Sequence, residues 1–265
     1  MERLLLEVAY DGRGFKGFAF QPAQRSVAGE LLKALRRVLP EVGELVCAGR
    51  TDAGVHAWGQ VVHVDVPENT DLAKLRASLN ALLAPEIAVR GVSIASEGFH
   101  ARYSAKKRHY RYALFSSTNP DPFLYGRAWY INEQVDMASM NLAADALLGE
   151  HDFSAFCRKP KDRHDEALIR RVLMARWSRA RYPLVLMADA EDSLGRERQG
   201  ELFYFDIMAS SFCHQMVRSI VGTLVEIGKG KRKPGEMLTL LSSGDRSLAG
   251  PLAPPYGLYL AGVRY

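Results

Sequence analysis

Residues 47–66, CAGRTDAGVHAWGQVVHVDV, set Arg50, Thr51, Asp52 and His56 in a short turn between two apolar runs. Residues two apart in extended chain face the same way, so Arg50 and Asp52 stand side by side. A guanidinium beside a carboxylate favours the ionised form. An ionised carboxylate held on a rigid turn is equipped to act as a nucleophile or a base. Gly49 and Gly54 flank it and let a substrate come close to backbone. The same residues also suit a purely structural role. An Asp in a strand-to-strand loop makes an Asx-turn, and the glycines supply positive φ. The turn alone leaves both readings open.

Charge placement bears on the choice. The chain of 265 residues carries 35 Lys+Arg against 30 Asp+Glu, a formal net charge of +5. Four runs hold much of the excess: RYSAKKRHYRY (102–112), CRKPKDRH (157–164), IRRVLMARWSRAR (169–181) and GKGKRKPG (228–235). Each alone reads as the wet face of a strand or a surface loop. Four in one chain, two of them interleaved with aromatics, favour a polyanion carrying flat bases. The stretch GRGFKG (12–17) resembles a phosphate-binding loop only superficially, because it lacks the GxxxxGK[ST] spacing. Cys47, Cys157 and Cys213 are odd in number and far apart, with no CxxC pair or Cys/His cluster to suggest zinc. Reduced, mostly buried thiols in a cytoplasm are the simplest expectation. No apolar run reaches membrane-spanning length, and the first residues read as a strand rather than an export signal.

The elements that must position the turn follow from periodicity. Strands are expected at 4–12, 43–49, 59–66 and 86–96, and helices at 26–40 and 70–85. Ser26 is placed to cap the first helix and Pro40 to stop it. The second half repeats this style. Strands fall in KKRHYRYALFSS, GRAWYI, IRRVLMARWS, PLVLMAD, GELFYFDIMAS and the terminal YGLYLAGVRY. A helix runs from about Asp136, with Gly149 placed to end it, a long one spans 211–230, and a short one follows in PGEMLTLLSSGD. Strands in near-adjacent groups with helices between them predict an α+β fold of two similar subdomains, with mainly antiparallel sheets and flanking helices. The boundary is expected near residues 100–106, giving 1–103 with the Asp52 turn and 104–265.

AGRTDAGVHAWGQVVH resembles the signature of the TruA-type tRNA pseudouridine synthases. The resemblance continues in family order through YDGRGFKGF (10–18), RSVAGEL (25–31), FHARYSAKKRHYRY (99–112), LLGEHDFSAF (147–156) and SSFCHQMVRSIVGTLVEIG (210–228), and so covers nearly the whole chain. It implies the pseudouridine synthase fold with a central cleft. It also implies a cofactor-free, metal-free homodimer that converts uridines 38, 39 and 40 in the anticodon stem-loop of tRNA. On the matching positions, Asp52 would be the catalytic aspartate, acting as nucleophile. Tyr110 would pack on the target base, Arg218 would pair with the aspartate, and Arg50 would help displace the base. The stretch GFAFQPAQRSV departs from the family's Trp–Gln pattern, so Gln21 and Gln24 receive no role. Cys213 stands where a larger apolar residue is common.

The implied reaction breaks the N1–C1′ bond of uridine, turns the uracil and rejoins it through C5. Nothing is oxidised or added. One carboxylate suffices, whether it attacks C1′, attacks C6 or removes a 2′ proton. Lys106, Lys107 and Arg108 are expected to meet phosphates. His56 and His214 are expected to be structural or RNA-contacting, since the reaction has no clear task for them. Two rivals stand beside this reading. An RNA-binding module without turnover would not need Asp52. A metal-dependent nuclease would need several clustered carboxylates, and the turn supplies one.

Overall fold

The computed structural model describes residues 1–39, 41–158, 167–180 and 200–265. Pro40, most of the 157–164 basic run and the strand expected in PLVLMAD lie outside the described residues. The described chain forms two units, Met1–Tyr110 with Tyr259–Tyr265, and Arg111–Leu258. The closing strand therefore groups with the first unit.

In the first unit, Leu4, Leu6 and Val8 alternate with less buried neighbours, which makes β1 (Glu2–Tyr10) a strand with one core face. β3 (His56–Val66) pairs with it antiparallel, Leu4 opposite Val64 and Leu6 opposite Val62. β4 (Ile87–Ile94) pairs antiparallel along the other edge of β1, and β2 (Val46–Cys47) along β3. β10 (Leu258–Arg264) pairs with β3 in parallel, Tyr259 opposite His56. Helix α1 (Val27–Val38) begins at Ser26, whose hydroxyl accepts from the Gly29 amide, and buries Val27, Leu31 and Leu35. Helix α2 (Leu72–Leu83) is capped by Asp71 and buries Leu75, Leu79 and Leu83.

β5 (Lys107–Ser116) runs from the first unit into the second. There the strand order is β5, β9 (Glu201–Ala209), β8 (Ile169–Ala180), β7 (Gly149–Asp152). β8 is antiparallel to both β7 and β9, and the short β6 (Trp129–Ile131) is parallel to β5. Three helices accompany them: α3 (Met137–Asp145), α4 (Met216–Gly228) and α5 (Glu236–Ser243). The fold is α+β with mainly antiparallel pairing, as the grouping of strands and helices predicts.

One device recurs in both units. Asn80 of α2 donates to the Val89 carbonyl at 3.0 Å and accepts from the Val89 amide at 2.7 Å. Asn141 of α3 does the same with Trp177 of β8, at 3.2 and 2.8 Å. A single amide side chain thus satisfies both main-chain groups of a strand residue and fixes the helix against it.

Some expectations need correction. Helix α3 stops at Asp145, and Gly149, expected to end it, instead opens β7 at φ 101°. The helix expected from residue 211 begins at Met216, because Gln215 adopts left-handed φ 65° and breaks the register. The strand expected over 43–49 shrinks to the two residues of β2. Two of the three cysteines, expected to be far apart, meet in space. Cys157 and Cys213 come together across 56 residues of sequence, their Cα atoms 5.8 Å apart. Sequence distance hid a spatial neighbour. Among the described residues no helix is long and apolar enough to cross a membrane.

Candidate active site

Asp52 lies in the turn between β2 and β3, half-buried, with Thr51 buried beneath it. The Val55 amide donates to the Asp52 carbonyl at 3.2 Å and Gly54 takes φ 78°, so the backbone reverses directly after the carboxylate. The turn is gripped from below by side chains. The Tyr10 and Thr51 hydroxyls are 2.8 Å apart, and Gln60 Nε2 donates to the Gly49 carbonyl at 2.7 Å. Tyr10 and Gln60 are themselves buried, so these hydrogen bonds sit in low dielectric and hold geometry tightly, while Gln60 Oε1 accepts none.

The GRGFKG stretch supplies the other half of the grip. The Phe18 amide donates to the Thr51 carbonyl at 3.1 Å and the Gly54 amide to the Phe15 carbonyl at 3.4 Å. A Cβ on Gly17, which has φ 102°, would meet the Thr51 carbonyl oxygen at 2.9 Å. One on Gly12 would meet the Val55 carbonyl oxygen at 2.0 Å. These glycines serve close approach of one backbone to another.

Tyr110, on β5, is 8% exposed. Burial, and after it the negative charge of Asp52, push its phenol above the usual tyrosine range, with Arg108 opposing. A Cβ on Gly49 would lie 3.9 Å from the Tyr110 hydroxyl. The structure therefore brings Tyr110 to the root of the Asp52 turn and within its electrostatic reach.

The remaining predicted residues are placed differently. Arg50 is exposed and makes no ion pair with Asp52 among the described residues. Its charge instead reaches Cys47, whose thiol burial pushes up to about 11 with Arg50 opposing. Lys106 and Lys107 are exposed at the start of β5. Arg108 is half-buried and donates to the carbonyls of Ala105 at 3.1 Å, Ala48 at 3.1 Å and Arg102 at 2.7 Å. It ties the base of the turn to the FHARYSA segment. His56 is buried, stacked on Tyr259 at 4.7 Å, and its Nδ1 accepts from the Gly12 amide at 3.1 Å. An Nδ1 that accepts carries no proton, so its 3.3 Å approach to Asp11 is not a charged pair in that tautomer. Arg218, half-buried on α4 of the second unit, donates from Nε to the Ala253 carbonyl at 2.8 Å. That stretch runs close against the helix: a Cβ on Gly222 would fall 1.6 Å from the Pro251 carbonyl oxygen. His214 is exposed just before α4.

The sequence assigns no role to Tyr10 and Gln60, which hold the turn. Their signal is present in weak form: Gln60 is a lone amide entering the valine-rich β3, and Tyr10 precedes the glycine stretch that wraps the turn. Among the described residues no three His, Cys, Asp or Glu side chains gather as a metal-holding set.

The family described as tRNA pseudouridine synthase matches residues 143–265. Over its full length the chain is 39% identical to tRNA pseudouridine synthase A of Geobacillus kaustophilus, covering 100% of this chain and 95% of that protein. It is 37% identical to the protein of that name from Bacillus subtilis, over 99% of each. With the one from Nitrosomonas europaea it shares 38% identity, over 99% of this chain and 89% of that protein.

Proposed function

The chain belongs to the tRNA pseudouridine synthase family, and we propose that it isomerises uridines 38, 39 and 40 of the tRNA anticodon stem-loop to pseudouridine. The observation that carries this reading is the buried phenol of Tyr110, set at the root of the turn where the Asp52 charge reaches it. A carboxylate on a rigid turn beside a buried aromatic hydroxyl suits one-carboxylate chemistry on a flipped base.

The target base leaves its stack at a cost of roughly a few kcal/mol. Packing of uracil on the Tyr110 ring returns about 1–3 kcal/mol. Asp52 acts as the nucleophile: its carboxylate bonds to C1′ as the N1–C1′ bond breaks and the electron pair leaves with N1. The uracil turns, C5 bonds to C1′ as the C1′–carboxylate bond breaks and Asp52 is regenerated, then C5 loses its proton and N1 gains one, so atoms and electrons balance with no cofactor or metal. Arg218, anchored through Nε to the Ala253 carbonyl, serves as the basic residue of the reaction. Arg50, exposed beside the turn, helps displace the base, and Lys106 and Lys107 meet phosphates. Arg108 is better suited, by its three carbonyl partners, to hold the turn than to bind RNA. His56 acts from within the turn's scaffold. The enzyme works as a homodimer in the cytoplasm.

The test is Asp52→Asn, which keeps the side chain's size and removes its charge. Pseudouridine formation on an anticodon stem-loop is expected to vanish while RNA affinity stays within a few-fold. Turnover near that of the wild type overturns the reading.

A further inference from the structure

Around the start of α4, three arginines from three separate segments converge. Arg158 follows Cys157, Arg218 lies in the first turn of α4, and Arg246 opens a short 3-10 turn after α5. Their segments are fastened together. Cys157 lies beside Cys213, and the Arg158 amide donates to the His214 carbonyl at 3.0 Å. Arg246 Nη2 donates to Gln215 Oε1 at 2.7 Å. Gln215 can reach it from its left-handed position ahead of α4, and no side chain caps this 13-residue helix.

Among the described residues neither Arg158 nor Arg246 has a carboxylate partner. Asp245, next in sequence, accepts from the Ser247 amide at 2.8 Å and so caps its own turn. Nη1 of Arg246 makes no hydrogen bond. Burial, and then the charges of Arg158 and Arg218, push the Arg246 guanidinium below its usual range. Holding like charges together is unfavourable. An oxyanion among them reverses the sign, and planar guanidinium forks match phosphate oxygens.

We propose that Arg158 and Arg246 form, beside Arg218, a binding site for a phosphodiester of the RNA substrate. This deepens the function proposed above and rests on it. Gln215 is a positioning residue that aims Arg246, and the main-chain bond from Arg158 to the neighbouring His214 keeps the Arg158 segment beside it.

The experiment uses anticodon stem-loop RNAs carrying a single neutral methylphosphonate, scanned along the loop and upper stem. Binding is measured for the wild type, for the Arg158→Ala/Arg246→Ala pair and for the Arg158→Lys/Arg246→Lys pair, each checked for folding by thermal melting. The Ala pair is expected to bind about tenfold more weakly, as for removal of charge-assisted hydrogen bonds. Its salt slope should fall by about one for each phosphate no longer neutralised. At one or two positions methylphosphonate should weaken the wild type yet leave the Ala pair unaffected, the non-additivity that marks a direct interaction. The Lys pair should keep the salt slope and lose part of the affinity. Unchanged affinity in a folded Ala pair overturns the site, and so does full additivity at every position. Pseudouridine formation by the wild type is scored on the same RNAs. Its absence overturns the proposed function, whereas additivity with isomerisation intact overturns this site alone.

Discussion

Tyr110 and Tyr10 are both buried phenols near the Asp52 turn, yet their surroundings assign them different work. Tyr10 is occupied by Thr51 at 2.8 Å and holds the turn. Tyr110 answers to the charge of Asp52. If its hydroxyl takes part in removing the C5 proton, Tyr110→Phe should join C5 to C1′ and stall before release of that proton. A general base is worth ~10²–10⁴-fold. Tyr110→Leu should lose the stacking as well. Single-turnover pseudouridine formation, beside tritium release from C5-labelled uridine, separates the two. Phe matching the wild type in both assays removes the hydroxyl from the chemistry.

The same residues set a pH limit. Burial is the first cause holding Tyr10, Tyr110 and Tyr265 above the ordinary tyrosine value. In the unfolded chain they ionise near about 10. Above that pH the unfolded state releases protons that the native state retains, so native stability falls as pH rises. The contribution is fully present below about 10. Denaturant midpoints should therefore drop through the alkaline range, and Tyr110→Phe should make the drop shallower. An unaltered slope in that variant shows Tyr110 titrating normally.

At the scale of elements, periodicity suffices where one face is core. β1, α1, α2 and β5 sit close to where alternation and capping residues put them, because Leu4, Leu6, Leu31 and Leu79 each mark a buried stripe. It fails where geometry comes from elsewhere. Nothing local announces that Gln215 is left-handed, so the apolar pattern alone starts α4 too early, ahead of Met216. Cys157 and Cys213 are residues that only the tertiary fold makes neighbours. For the site, the chemical groups are legible and their support is not. Asp52 stands out by its company, whereas the grip of Tyr10, Gln60 and Arg108 consists of hydrogen bonds across 41, 11 and 60 residues of sequence.

The backbone approach between the GRGFKG stretch and the turn can be probed at Gly17. Alanine there meets two penalties, a left-handed φ of 102° and a carbonyl oxygen at 2.9 Å. Gly98 is the control, since it also has positive φ, 71°, with nothing within 4 Å of its Cβ position. Gly98→Ala should cost about 1–3 kcal/mol from backbone strain alone. Gly17→Ala should cost more and also lower turnover, because Thr51 and Asp52 must shift. Equal melting temperatures for the two variants, with turnover intact in both, exclude a role for the close approach.

At the scale of the whole molecule, the proposed homodimer needs an apolar surface that a lone chain leaves wet. The second unit offers one. Leu142 of α3 is 65% exposed and Leu173 of β8 41%, with Leu148 and Ile169 also exposed. Asn141 fastens α3 to β8 through Trp177, and Asn141, Leu148 and Leu173 line one shallow depression. Apolar side chains grouped in this way, rather than scattered, mark association surfaces, and a two-fold interface uses the same patch on both copies. Sedimentation is therefore expected to give twice the chain mass of 29.5 kDa at micromolar concentration. The Leu142→Glu/Leu173→Glu pair should sediment as a folded monomer, because like charges would face each other across the axis. If the tRNA spans both chains, that monomer should also bind tRNA more weakly at unchanged ionic strength. A wild type that sediments at one chain mass removes the homodimer. A double variant that stays dimeric moves the interface off α3 and β8.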